Sequence, residues 1–364
     1  MIERILFFLI ICFLVPLKSL AQQDSLIQKP EKNVKILPLP MFWYTPETRF
    51  GFGVAAMVSF RFDKNNPNER VSSFQIGEAY TQEKQWINFS SFQLFPCKEK
   101  LFIYGEAGYY KYRYYFFGTG NNNPPEKNEN FDINFSRIRI NILYKVLPHF
   151  YSGIRYWYEN SAAGSKDSSG YLLNGFYNGF PKAVTSSPGF VLLYDNRDHL
   201  FFPTKGWFAE LSFQKDASFT GSQFNFSRFT VDAARYFPLK QKHVLACNFV
   251  LAATNGNVPF TLLPMIGGNK KMRGYYEGRY RDQWMMLLQA EFRMQIFKRW
   301  FINVYGSAGN VSENLSSMQI KHIRFSGGIG LRFRIDTKNK INLRLDSAFG
   351  RDGLKNYFTF NEAF

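Results

Sequence analysis

The sequence predicts an all-β fold, a transmembrane antiparallel β-barrel of about sixteen strands, and three observations carry that prediction. In Trp284, Met286, Leu288, Ala290, Phe292, Met294 and Ile296 every second residue is apolar, while Gln283, Gln289, Glu291, Arg293 and Gln295 fill most of the gaps. Period two with charge on one face describes a strand between two unlike solvents. Beyond the first residues every apolar stretch is interrupted by Arg, Lys, Asp, Asn or Gln. None therefore reaches the roughly 20 residues of a spanning helix, and a spanning structure has to be a closed barrel. Finally, 41 Phe and 21 Tyr recur at expected strand ends, as in Phe42-Trp43-Tyr44, Tyr114-Tyr115-Phe116 and Tyr156-Trp157-Tyr158. Such rings favour the membrane–water boundary. A soluble sandwich is the competing arrangement, and it would leave Arg332, Arg334 and Arg344 in a dry core without partners.

Residues 1–21 read as a cleaved signal peptide, with Glu3 and Arg4 ahead of an apolar run from Ile5 to Leu17 and small residues in Ser19-Leu20-Ala21. Residues 22–34 are polar and read as a short periplasmic leader, far below the roughly 50 residues of a folded domain. The barrel is expected over residues 35–364.

Strands are expected near 34–44, 49–62, 70–81, 85–95, 101–112, 131–146, 149–160, 188–196, 206–216, 223–237, 242–254, 283–297, 299–309, 321–335, 339–349 and 355–364. An even number keeps both chain ends on one side of a membrane. Short links such as 96–100, 146–149, 238–242, 298–299 and 336–340 alternate with connections that include the long 113–130, 161–187, 255–282 and 310–320. Short turns on one rim and longer loops on the other are a property of outer-membrane barrels. Near 85–95, 131–146 and 223–237 the alternation slips, as at Ser136-Arg137 and Ser227-Arg228, which predicts β-bulges. The first strand carries Pro38 and Pro40, which have no N–H for a ladder. Either they weaken a seam with the last strand, or they precede the membrane part of their own.

The formal net charge of +17 falls to +16 once residues 1–21, with Arg4, Lys18 and Glu3, are removed. Because the basic residues are scattered singly, the excess points to a basic lumen and rims facing outer-membrane lipid, with no nucleic-acid partner. Cys97 lies in a turn and Cys247 in an apolar strand, and a disulfide between them is not indicated. The four His stand apart from one another and from Cys, so neither a metal nor another cofactor is expected. No nucleophile–base pair or phosphate loop is evident, so an enzyme is not expected.

Gly267 and Gly268, then Met272-Arg273-Gly274-Tyr275, resemble the loop motif of the BamA/TamA superfamily of outer-membrane assembly and translocation barrels, also called bacterial surface antigens. Asp195, Arg197 and Asp198, followed by Pro203 and Gly206, are similar to that family's turn between its eighth and ninth strands. The Arg-Gly-Tyr loop also falls between the eleventh and twelfth expected strands, where the family carries it. The resemblance implies that the loop folds into the lumen and that Arg273 pins it to Glu291 on the next strand. It also implies that Gly274 allows close backbone approach and that Tyr275 packs on the wall. Where the family often has a further acid this chain has Ser307, which leaves the pin one carboxylate. The ending, with Phe358, Phe360 and Phe364 in phase around Glu362, resembles the terminal recognition strand of outer-membrane barrels.

The function so implied is insertion or translocation of proteins or other components at the outer membrane. The partners implied are unfolded outer-membrane protein clients and periplasmic or lipoprotein accessory subunits. The accessory subunits would supply the periplasmic POTRA domains that residues 22–34 cannot form. The alternatives are a passive, anion-preferring pore and a structural or surface-interaction barrel.

Overall fold

The structure is a computed structural model that describes residues 34–63, 70–124, 128–166, 170–174, 177–337 and 339–364. The expected signal peptide and all of the expected leader except Val34 lie outside these residues. Alternation along the chain is realised as β1 (Val34–Thr45), β2 (Arg49–Phe60), β3 (Ser72–Thr81), β4 (Trp86–Leu94), β5 (Leu101–Phe116) and β6 (Glu129–Leu147). β7 (Phe150–Ser165), β8 (Lys182–Asp195), β9 (Gly206–Asp216), β10 (Phe226–Pro238) and β11 (Val244–Gly256) follow. Two short strands, β12 (Met265–Ile266) and β13 (Tyr280–Arg281), form a ribbon inside the next loop. The wall is completed by β14 (Trp284–Gln295), β15 (Trp300–Ser312), β16 (Arg324–Asp336), β17 (Ile341–Gly350) and β18 (Gly353–Phe360). All but β12 and β13 join in one closed antiparallel barrel of sixteen strands. β1 begins and β18 ends on the same rim, called here the terminal rim; the opposite one is the loop rim.

Which face meets lipid follows from exposure. Ile36, Val54, Phe190, Phe325 and Phe349 are each between 65% and 71% exposed on the outer face, whereas Arg293, Arg332 and Arg344 on the inner face are at most 1% exposed. Apolar side chains that would be costly in water are at home in acyl chains, and the arginines are kept from them.

Two expectations need correction. The alternation slips at Ser136 and Ser227 are not bulges, because the ladders run through both without interruption. The ladders of β4 are equally regular. Register shifts lie instead between Lys145 and Leu147 and between Arg334 and Asp336. What changes at Ser136 is the solvent: toward the loop rim Asn134 and Ser136 point outward, while Phe131, Ile133 and Phe135 point inward. They pack there with Tyr110, Phe116, Leu172 and Phe260. The upper part of this wall is patterned like a water-soluble sheet, polar outside and apolar inside, so the lipid belt ends near Ile138. β8 also starts six residues earlier than expected and carries Pro188 within it, opposite Tyr156.

Candidate functional site: the lumenal loop, its ion network and the seam

The loop of residues 257–283 enters the barrel from the loop rim. Its upper part is held by apolar burial: Ile266, Met272, Tyr275 and Tyr280 pack on Val250, Ala252, Met285, Leu287 and Val311 of the inner wall. The hairpin turn depends on glycine. At Gly267 φ is +113°, and a Cβ there would lie 1.9 Å from the Tyr276 carbonyl oxygen. At Gly274 φ is +105°, and a Cβ there would lie 3.1 Å from the Phe349 carbonyl carbon and the Gly350 nitrogen. The Gly274 N–H donates to the Tyr357 hydroxyl at 3.0 Å, and the Tyr275 hydroxyl donates to the Phe325 carbonyl at 3.0 Å.

Arg273 sits at mid-barrel and is 1% exposed. Its Nη2 lies 2.6 Å from Glu291 Oε2 and its Nη1 2.6 Å from Asp346 Oδ2, with the guanidinium 3.4 Å from the centre of the Tyr305 ring. The expectation of a single carboxylate partner is therefore incomplete. Ser307 donates to Gln289, and the second acid comes from β17, 73 residues along the chain. Burial opposes the Arg273 charge, but Asp346 and Glu291 more than offset it and raise its pKa above the usual arginine value.

The pair belongs to a larger network. Arg293 Nε is 2.8 Å from Glu291 Oε1; Arg332 reaches Asp346 at 2.6 Å and Glu362 at 2.9 Å; Arg344 stands 3.5 Å from Asp346. Four arginines thus share three carboxylates. The strands place them together because Glu291, Arg293, Arg332, Arg344 and Asp346 all occupy inward positions of β14, β16 and β17. All residues of the network except Glu362 are at most 1% exposed, so this half of the basic lumen is filled by its own side chains. Lys270 and Lys271, at the loop tip, are open to solvent inside the barrel; enclosure by the wall lowers the pKa of both.

Both rims are crossed. On the loop rim, Gly120 N–H donates to the Arg281 carbonyl, Arg279 pairs with Asp352 at 2.6 Å and donates to the Asn123 carbonyl, and Arg324 donates to the Asn121 carbonyl. There too the Glu277 N–H donates to Glu47, a buried carboxyl in the β1–β2 turn. On the terminal rim, the turn between β8 and β9 is held by Arg197, which pairs with Asp195 at 2.8 Å, and by Asp198, which accepts the amides of Thr204 and Lys205. The lysine side chain nearest Asp198 is Lys340 at 3.9 Å; Lys205 contributes only its backbone there. Gly206 has φ +107° where the chain passes close to Asn196. The turn carries Phe202 against Phe301, and the Pro203 carbonyl accepts from Arg293 at 3.4 Å.

The chain after β18 also turns inward. Phe358 and Phe360 lie in β18, but the strand stops there: Asn361 adopts φ +60°, and Glu362 and Ala363 are buried. Phe364, expected in phase with the other two, packs instead on Ala234, Tyr236, Val244 and Ala246 inside the barrel. Consequently the register between β1 and β18 is one pair, Tyr44 opposite Phe358, whereas β1 pairs with β2 along its whole length. Extending the β18 register would set Pro40 against Glu362 and Pro38 against Phe364, both turned away. Pro38 and Pro40 pair in the ladder to β2, opposite Ala56 and Val54.

Among the described residues no group of three His, Cys, Asp or Glu side chains is placed to hold a metal ion. Cys97 and Cys247 are both free thiols.

A comparison with curated proteins gives no match. Among solved structures the fold is similar to BamA from Haemophilus ducreyi lacking POTRA domains 1-3, at 16% identity and TM-score 0.62, over 90% of this chain and 70% of that one. It is also similar to CdiB from Acinetobacter baumannii, at 13% identity and TM-score 0.56, over 91% of this chain and 60% of that one. For CdiB from Escherichia coli the values are 11% and 0.60, over 91% and 63%. The chain therefore spans less than two thirds of either CdiB. Residues 51–352 match the Omp85 superfamily domain. With most of its length so matched and its strands closed into this barrel, the chain belongs to the Omp85 superfamily and is an outer-membrane β-barrel.

Proposed function

We propose that this barrel inserts or translocates polypeptide clients at the outer membrane, engaging them at the seam between β1 and β18, with the terminal rim toward the periplasm. The observation that carries the reading is the contrast within one wall: a single register pair at the seam against continuous ladders elsewhere. In hydrocarbon each backbone group left without a partner costs several kcal/mol by order of magnitude, so a short seam is poised to accept an incoming strand. Arg273, fixed by Glu291 and Asp346, pins the loop so that the rest of the wall stays rigid while the seam yields. The chemistry is the exchange of hydrogen bonds and burial of apolar surface; no bond is made or broken. Outer-membrane lipid, unfolded barrel clients and accessory subunits that present them are the partners this mechanism uses. Phe358 and Phe360 fit the part of a terminal strand recognised during this chain's own assembly.

A passive pore is the second reading, favoured by the arginines and lysines of the lumen. The crossings at both rims stand against a wide conducting path. Reconstitution in liposomes separates the two: the proposal expects faster folding of a second, initially unfolded barrel and little steady current. An anion-selective current with no effect on folding would establish the pore instead.

A further inference from the structure

We infer that the terminal-rim end of the lumen is a peptide-binding site, occupied in this conformation by the chain's own residues 361–364. Its ligands are extended segments that place a carboxylate and an aromatic ring two residues apart. Two half-sites lie side by side on one sector of the wall, separated by β14. On β15, β16 and β17, Arg332 Nε lies 2.9 Å from Glu362 Oε2, Asn342 donates to Oε1 at 2.8 Å, and Asn303 donates to Oε2 at 3.3 Å. All three side chains belong to residues with no solvent exposure. On β10 and β11, Ala234, Tyr236, Val244 and Ala246 receive the Phe364 ring, while Arg293 Nη2 on the intervening β14 donates to the Phe364 carbonyl at 3.0 Å.

The wall groups do not depend on this segment for their placement. Arg332 is also held by Asp346, Arg293 by Glu291, and Asn303 donates to Glu291 at 2.9 Å. The site is therefore built by the barrel and filled by the tail. Glu362 and Phe364 are two residues apart, the spacing that puts side chains on one face of an extended strand. A strand from another polypeptide, with an acid and an aromatic ring at that spacing, satisfies the same groups. This inference rests on the client-handling reading above and narrows it to a class of sequence.

The test uses a labelled synthetic peptide, Thr-Phe-Asn-Glu-Ala-Phe, corresponding to residues 359–364, with the whole barrel in lipid vesicles. An internal segment that fills the site about nine-tenths of the time weakens apparent binding about tenfold, because affinity scales with the free fraction. A chain ending at Phe360 should therefore bind the peptide about tenfold tighter than the intact chain. Should that chain not fold, as read by heat-modifiable gel mobility, Phe364→Ala in the full chain should show the same change. Peptides carrying Glu362→Gln or Phe364→Ala should lose about tenfold or more. Equal binding by intact and tail-weakened barrels, or by all three peptides, would overturn the site. Folding rates of a second barrel are measured in the same vesicles. Peptide selectivity without acceleration would remove the insertion reading and leave the site, whereas acceleration without selectivity would remove the site alone.

Discussion

Replacing Glu291 should damage the barrel more than replacing Arg273, although the two form one ion pair. Arg273, Arg293, Arg332 and Arg344 face Glu291, Asp346 and Glu362, so the cluster carries one net positive charge. Arg273→Ala makes it neutral and leaves both acids partnered, Glu291 by Arg293 at 2.8 Å and Asn303 at 2.9 Å, Asp346 by Arg332 at 2.6 Å. Breaking a buried pair costs roughly 3–5 kcal/mol, and with this compensation the low end, about 3 kcal/mol, applies. Glu291→Ala instead leaves two net positive charges and three guanidiniums around an empty place, which sets the upper end, about 5 kcal/mol. The unfolding midpoint in lipid vesicles measures the difference. Trypsin supplies a local readout, since Lys270 and Lys271 lie at the loop tip inside the barrel and become cleavable only when the loop leaves. An Arg273→Ala barrel with wild-type midpoint and wild-type trypsin resistance, or a milder Glu291→Ala, would refute the reasoning.

Three further outcomes are expected. Burial, and then the nearby Glu277, raise the pKa of Glu47 to about 7 from an ordinary 4.5, so the folded state holds the extra proton and the contact between the β1–β2 turn and the loop is strongest below about pH 4.5. It weakens as pH rises to about 7, and the protection of the Glu277 amide, its hydrogen-exchange rate relative to the intrinsic rate at each pH, should fall over that window in the natural chain but not in Glu47→Gln. Gly267→Ala should lower the thermal midpoint, because a strained positive φ costs about 1–3 kcal/mol even before the clash with the Tyr276 carbonyl is counted. Arg279→Ala should loosen the loop-rim crossing by freeing Asp352 and the Asn123 carbonyl, and planar-bilayer conductance should rise above that of the natural chain.

Much of the wall was legible because lipid and lumen impose opposite demands on alternate residues. The β14 alternation of Met286 and Leu288 with Gln289 and Glu291 identifies the outer face without any partner strand. The same rule misleads where the solvent changes: Ser136 and Ser227 look like bulges only while lipid is assumed to reach the loop rim. Met285 and Leu287 break the polar face of β14, and that irregularity was the available signal that something apolar, the loop, lies against it. Asp346 was harder to assign, because its pairing with Arg273 spans 73 residues and depends on barrel closure. Its inward phase alongside Arg344, in a strand paired to the one bearing Arg332, was the clue. The inward turn after Phe360 had a weaker signal in Glu362, whose carboxylate does not belong on a lipid-facing strand but finds Arg332 inside.

The seam provides the most direct test. With Cys97→Ser and Cys247→Ser in place, Tyr44→Cys and Phe358→Cys put thiols on the only register pair that joins β1 to β18 among the described residues. The account predicts that the reduced barrel speeds the folding of a second barrel in vesicles, that the oxidised barrel does not, and that reductant restores the effect. Equal acceleration by both forms would contradict it.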